Sequence, residues 1–189
     1  MVATEGGSNP PRQPELRLNG YEIADFDRAV ALVSAEPSPQ ALVERLGLDW
    51  EYVGWLALDA SATVLGELDE RRGRVVSYGG EAFTAGFLIG VHLPQEPQPR
   101  AERLAAAVDA VQVRGRHAVI ADYCGLAGVA RLEDVFSGAL VESMEVDDQE
   151  RQALTSPVTR IFEAGLAVGL ELGSISSGGN GDGGDAQEP

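Results

Sequence analysis

The sequence predicts an all-α fold: a helical bundle built from two tandem, pseudo-symmetric helical repeats, with disordered termini. Three observations predict it. Apolar residues recur at i, i+3, i+4 and i+7 along most of the chain. The one strand-like run, Val111 to Arg114, has no neighbour that would pair with it. And the first half, residues 20–97, aligns with the second, residues 98–173, with a single-residue offset.

The ends are predicted to stay disordered. Residues 1–19 are rich in Gly, Asn and Pro, and residues 174–189 in Gly, Ser and Asp. Such segments bury too little apolar surface to offset the entropy of ordering them. The first helix is read over residues 22–35, on the stripe Phe26, Ala29, Val30, Val33. Pro37 and Pro39 interrupt it, Ser38 caps a short helix through Leu46, and Gly47 ends that helix. Asp49 caps the next, whose face is Val53, Leu56, Ala57, Ala60 and Val64 and which ends in the charged run 67–74. Tyr78-Gly79-Gly80 is expected to break the chain before a helix from Glu81 to His92. Prolines at 94, 97 and 99 form a linker. The second half reads likewise: helices near 100–113 and 117–124, a Gly-Leu-Ala-Gly turn, then helices near 129–149 and 157–173.

The repeat is the most specific feature. A shift of 78 carries Ala29, Val30 and Val33 onto Ala107, Val108 and Val111, and Leu42 and Gly47 onto Ile120 and Gly125. One inserted residue makes the shift 79 for the remainder, where FTAGFLIGVHL from Phe83 faces FEAGLAVGLEL from Phe162. Each helix then carries two interior glycines, Gly86 and Gly90 in one, Gly165 and Gly169 in the other. At about 1 kcal/mol apiece relative to Ala, they cost about 4 kcal/mol together. Phe83, Gly86, Gly90 and Leu93 form one stripe, and Phe162, Gly165, Gly169 and Leu172 repeat it. A glycine stripe lets helices approach closer than the usual 8–10 Å. These eight residues are therefore the expected helix-packing interface, across a pseudo-twofold axis.

Composition bounds the function. The chain has 189 residues, 44% of them hydrophobic and 6% aromatic, so Ala, Val and Leu must build the core. Thirty acidic residues against 14 basic ones leave a net charge of −16, and every basic residue other than histidine is arginine. This resembles proteins of high-salt cytoplasms, where screening relieves self-repulsion. A GC-rich genome also favours Arg over Lys. A single cysteine, Cys124, allows no internal disulfide and no Cys-based zinc site. The N-terminal residues lack the apolar core of a signal peptide, and the longest apolar stretch, Ala85 to Leu93, is about half a membrane span. A cytoplasmic location away from any membrane follows.

No catalytic, cofactor or metal constellation stands out. His92 aligns with Glu171, which suggests a solvated helix face for both. His117 aligns with Pro39, and Cys124 with the apolar Leu46, which reads as a buried, inert thiol rather than half of a Cys–His dyad. The acidic runs 67–70 and 147–150 lack an EF-hand pattern and read as solvated faces, a divalent-ion site being the lesser reading. Trp50 and Trp55 have no aromatic counterpart in the second half and mark a possible partner surface. Residues 41–56 have a helix-turn-helix outline, but Asp49 and Glu51 stand where a DNA reader needs basic residues. The favoured function is therefore a non-enzymatic interaction or scaffold protein of a high-salt cytoplasm, binding another protein or itself. A DNA-binding regulator is the alternative.

Overall fold

The computed structural model describes residues 21, 23–65, 72–94, 99–125 and 146–174, and among these every regular element is an α-helix. The predicted disordered ends fall outside them, apart from Ser174, and so does most of the predicted helix 129–149. The helices are α1 (Ile23–Ala35), α2 (Pro39–Arg45), α3 (Trp50–Leu65), α4 (Arg72–His92) and α5 (Ala101–Arg114). Then follow α6, described over residues 116–125, and α7 (Asp148–Ser174).

Local chemistry sets most boundaries. Ser38 is extended, and its Oγ accepts from the Ala41 N–H at 3.3 Å while Pro39 occupies the first turn of α2. Gly47 takes φ 71°, a left-handed conformation open to glycine, and its N–H donates to the Glu44 carbonyl at 2.9 Å. Asp49 then opens α3, its Oδ1 accepting from the Glu51 N–H at 2.9 Å. Asp147 does the same for α7, accepting from the Glu150 N–H at 2.8 Å. Val111 to Arg114 is the last turn of α5 rather than a strand.

Two expectations fail. The chain does not break at Tyr78-Gly79-Gly80; α4 runs straight through from Arg72. Packing outweighs the low helix propensity of the glycines here. Gly79 sits so tightly against α3 and α7 that a Cβ on it would stand 2.6 Å from Ser61 Oγ and 3.0 Å from Ile161 Cδ1. Nor does the last helix start at Pro157: α7 begins at Asp148 and encloses that proline. Proline forfeits one helical hydrogen bond, but Leu154, Val158 and Ile161 on either side are fully buried and hold the helix in place.

α4 and α7 form the central pair and share the most extensive interface. They run in the same direction, since Gly86 meets Phe162 and Leu166 while Gly90 meets Leu166 and Leu170. α1, α2 and α3 pack on α4, α3 also reaches α7, and α5 packs on α7. The core is Phe83, Phe87 and Leu88 from α4, Leu93 just beyond its end, and Ile161, Phe162, Leu166, Leu170 and Leu172 from α7. Phe26, Val43, Val53, Leu104 and Ile120 close it from the outer helices.

Candidate functional site

The glycine stripes meet. A Cβ on Gly90 would lie 2.6 Å from the Leu166 carbonyl oxygen and 2.7 Å from the Leu170 nitrogen. On Gly86 it would collide with the Phe162 carbonyl, on Gly165 with that of Phe83, and on Gly169 with that of Phe87. The contacts exchange partners under a shift of 79: Gly86 on Phe162 with Gly165 on Phe83, and Gly90 on Leu166 with Gly169 on Phe87. Main chain therefore touches main chain, and dispersion and Cα–H···O contacts replace side-chain packing. Phe83, Leu93, Phe162 and Leu172 are buried alongside.

On the side of α4 facing α3 lies an apolar cleft of about 910 Å³. One wall is Glu51, Gly54, Trp55 and Leu58 of α3, and the other is Glu81, Thr84, Ala85 and Leu88 of α4. Each set is spaced i, i+3, i+4, i+7, so each is one face of its helix. Trp50 also lines the cleft and is half-buried. Trp55 is 67% exposed and Leu58 47%. The sequence singled out the tryptophans. It did not reveal the α4 wall, because Glu81 to Leu88 reads equally well as a core stripe.

A second, polar pocket of about 390 Å³ is lined by Arg116, His117, Thr155, Ser156, Thr159, Arg160 and Glu163. Glu163 Oε2 accepts from Arg116 Nε at 2.9 Å and lies 3.0 Å from His117 Nε2. Sequence reasoning missed this cluster, whose members lie 46 and 47 positions apart and share no motif.

His92 and Glu171 are not on a solvated face; both are buried. The two helices solve the same position differently. Glu171 is paired with Arg114, which also bridges to Asp122. His92 is held below the ordinary imidazole range by burial and by the charges of Arg28 and Arg45. Arg28 itself donates to the Leu93 carbonyl at 2.6 Å. Cys124 is fully buried, and burial pushes its thiol up to about 12, while His117 turns its Nε2 to Glu163. A thiol held this firmly protonated is no nucleophile at neutral pH. Asp147 is engaged as the α7 cap and Asp148 lies in solvent, 3.8 Å from Arg151; the run 67–70 lies outside the described residues.

α2, the turn at Gly47 and α3 do lie in succession, and the exposed start of α3 presents Glu51 and Tyr52. Among the described residues no helix is long and apolar enough to cross a membrane. No family model matches the chain, and neither a curated protein nor a solved structure matches it.

Proposed function

We propose that the protein is a non-enzymatic helical interaction module that binds another protein, or a second copy of itself, through the cleft between α3 and α4. The observation that carries this reading is Trp55, a large apolar ring two-thirds exposed at the rim of an apolar cleft. Scattered single apolar residues on a surface are ordinary, as Val113 is on α5. Trp55 and Leu58 instead adjoin a concave surface, the usual form of a docking site. The regulator reading has less support: Glu51 and a chain of net charge −16 repel phosphate, the main source of DNA affinity. A photo-crosslinking side chain at position 55 or 58, in cells, is expected to capture a discrete protein, and one at position 113 is not. Equal yields at all three positions would argue against the cleft.

We also infer that the two halves arose by tandem duplication and are related by a pseudo-twofold axis between α4 and α7. The exchanged glycine contacts support this. So do the matched left-handed glycines, Gly47 at φ 71° and Gly125 at φ 69°, and buried pairs such as Ala29 with Ala107 and Leu42 with Ile120. The acidic, lysine-free composition supports a working cytoplasm of high salt. A melting temperature that climbs with potassium chloride is the expected result; one that is flat or falls would contradict it.

A further inference from the structure

We propose that the cleft takes an amphipathic helix whose apolar face is flanked by Arg or Lys. This rests on the docking reading above and adds the chemistry of the partner. The floor and walls require apolar anchors: Trp50, Trp55, Ala57, Leu58, Ala85 and Leu88 supply little for a polar chain to bond. A volume of about 910 Å³ accommodates several such anchors, which a helix supplies at i, i+3, i+4 and i+7.

The charge comes from the rims. Each wall stripe begins with a carboxylate, Glu51 on α3 and Glu81 on α4, and both are exposed. The described lining holds no cation to answer them. Trp55 adds an open ring face, which attracts a guanidinium or ammonium group. The acidity is not simply that of the whole chain. At the positions 79 residues on, the polar pocket has Arg160 in place of Glu81, and 78 on, His117 in place of Pro39. The carboxylate at position 81 is thus particular to this cleft, its counterpart position holding a cation. A second copy is a poor occupant by comparison, because its matching face would set Glu51 and Glu81 among the same carboxylates, at contact distances that salt screens least.

The test uses the full chain and three synthetic helical peptides of about 18 residues. They share one Leu/Ala face, flanked by Arg/Lys, by Gln or by Glu, and binding is read from tryptophan fluorescence. The Arg/Lys peptide is expected to bind about tenfold tighter than the Gln peptide at low salt. That advantage should shrink without vanishing toward about 1 M potassium chloride, since charges pressed into contact are screened least, and should vanish in the E51Q/E81Q double variant. Trp55→Ala should weaken all three peptides. Equal affinity for the Arg/Lys and Gln peptides would overturn the basic-partner proposal and leave the docking reading standing. No peptide binding, with a dimer in light scattering that Trp55→Ala dissociates, would make a second copy the occupant and likewise overturn it. No peptide binding by a protein that stays monomeric would sink both.

Discussion

Gly165 packs directly on the carbonyl of Phe83, leaving no room for even a methyl group on its Cα. Gly86 does the same to Phe162. These contacts fix the spacing of α4 and α7, and thereby the wall that α4 presents to the cleft on its other side. The glycines are unfavourable for each helix in isolation and favourable only for the pair.

Trp55 and Phe87 should behave oppositely on truncation. Phe87 is fully buried, so Phe87→Ala is expected to cost about 3–5 kcal/mol. Trp55→Ala, at a site 67% exposed, should change stability by no more than about 0.5 kcal/mol. Urea unfolding measures both. A large loss for Trp55→Ala would make that ring part of the fold rather than of a docking surface.

His92 should make stability depend on pH. Its folded-state pKa lies below the ordinary 6.5. Above about 6.5 it is neutral whether folded or unfolded, and its contribution is fully present. As pH falls through 6.5 toward the folded value, the unfolded chain takes the proton first and stability drops. Between about pH 7.5 and pH 5 the wild type should therefore lose more stability than His92→Gln. Parallel urea midpoints for the two proteins would reject this account.

Cys124 should be silent in the native state. With the thiol pushed up to about 12, only about one in ten thousand is ionised at pH 8. Reaction with a disulfide reagent should be slow in buffer and fast in urea. Equal rates would show that the thiol is neither buried nor firmly protonated.

Much of the fold was legible because its signals are local. Ser38, Gly47 and Asp49 each act within three or four residues, and the caps lie where the sequence predicts them. The glycine stripes were legible for another reason: the cost of glycine inside a helix points to a close approach. What escaped depends on distant partners. Gly79 stays helical because Ser61 and Ile161 surround it. Glu171 is buried because Arg114, 57 positions away, reaches it. Matching His92 to Glu171 suggested tolerance of water, whereas each has its own way of entering the core. For the site, Trp55 stood out as unmatched, but the α4 wall opposite it emerges only once α3 and α4 are placed side by side.

The close pairing of α4 and α7 is most directly tested by urea unfolding of Gly165→Ala beside Gly54→Ala. Both put alanine into a helix, where it is intrinsically favoured by about 1 kcal/mol. Gly54 has nothing within 4 Å of a new Cβ, so its variant should match the wild type or exceed it by up to about 1 kcal/mol. Gly165→Ala must force the central helices apart and should lose about 3 kcal/mol or more, or fail to fold. A Gly165→Ala protein as stable as Gly54→Ala would contradict the backbone-to-backbone interface.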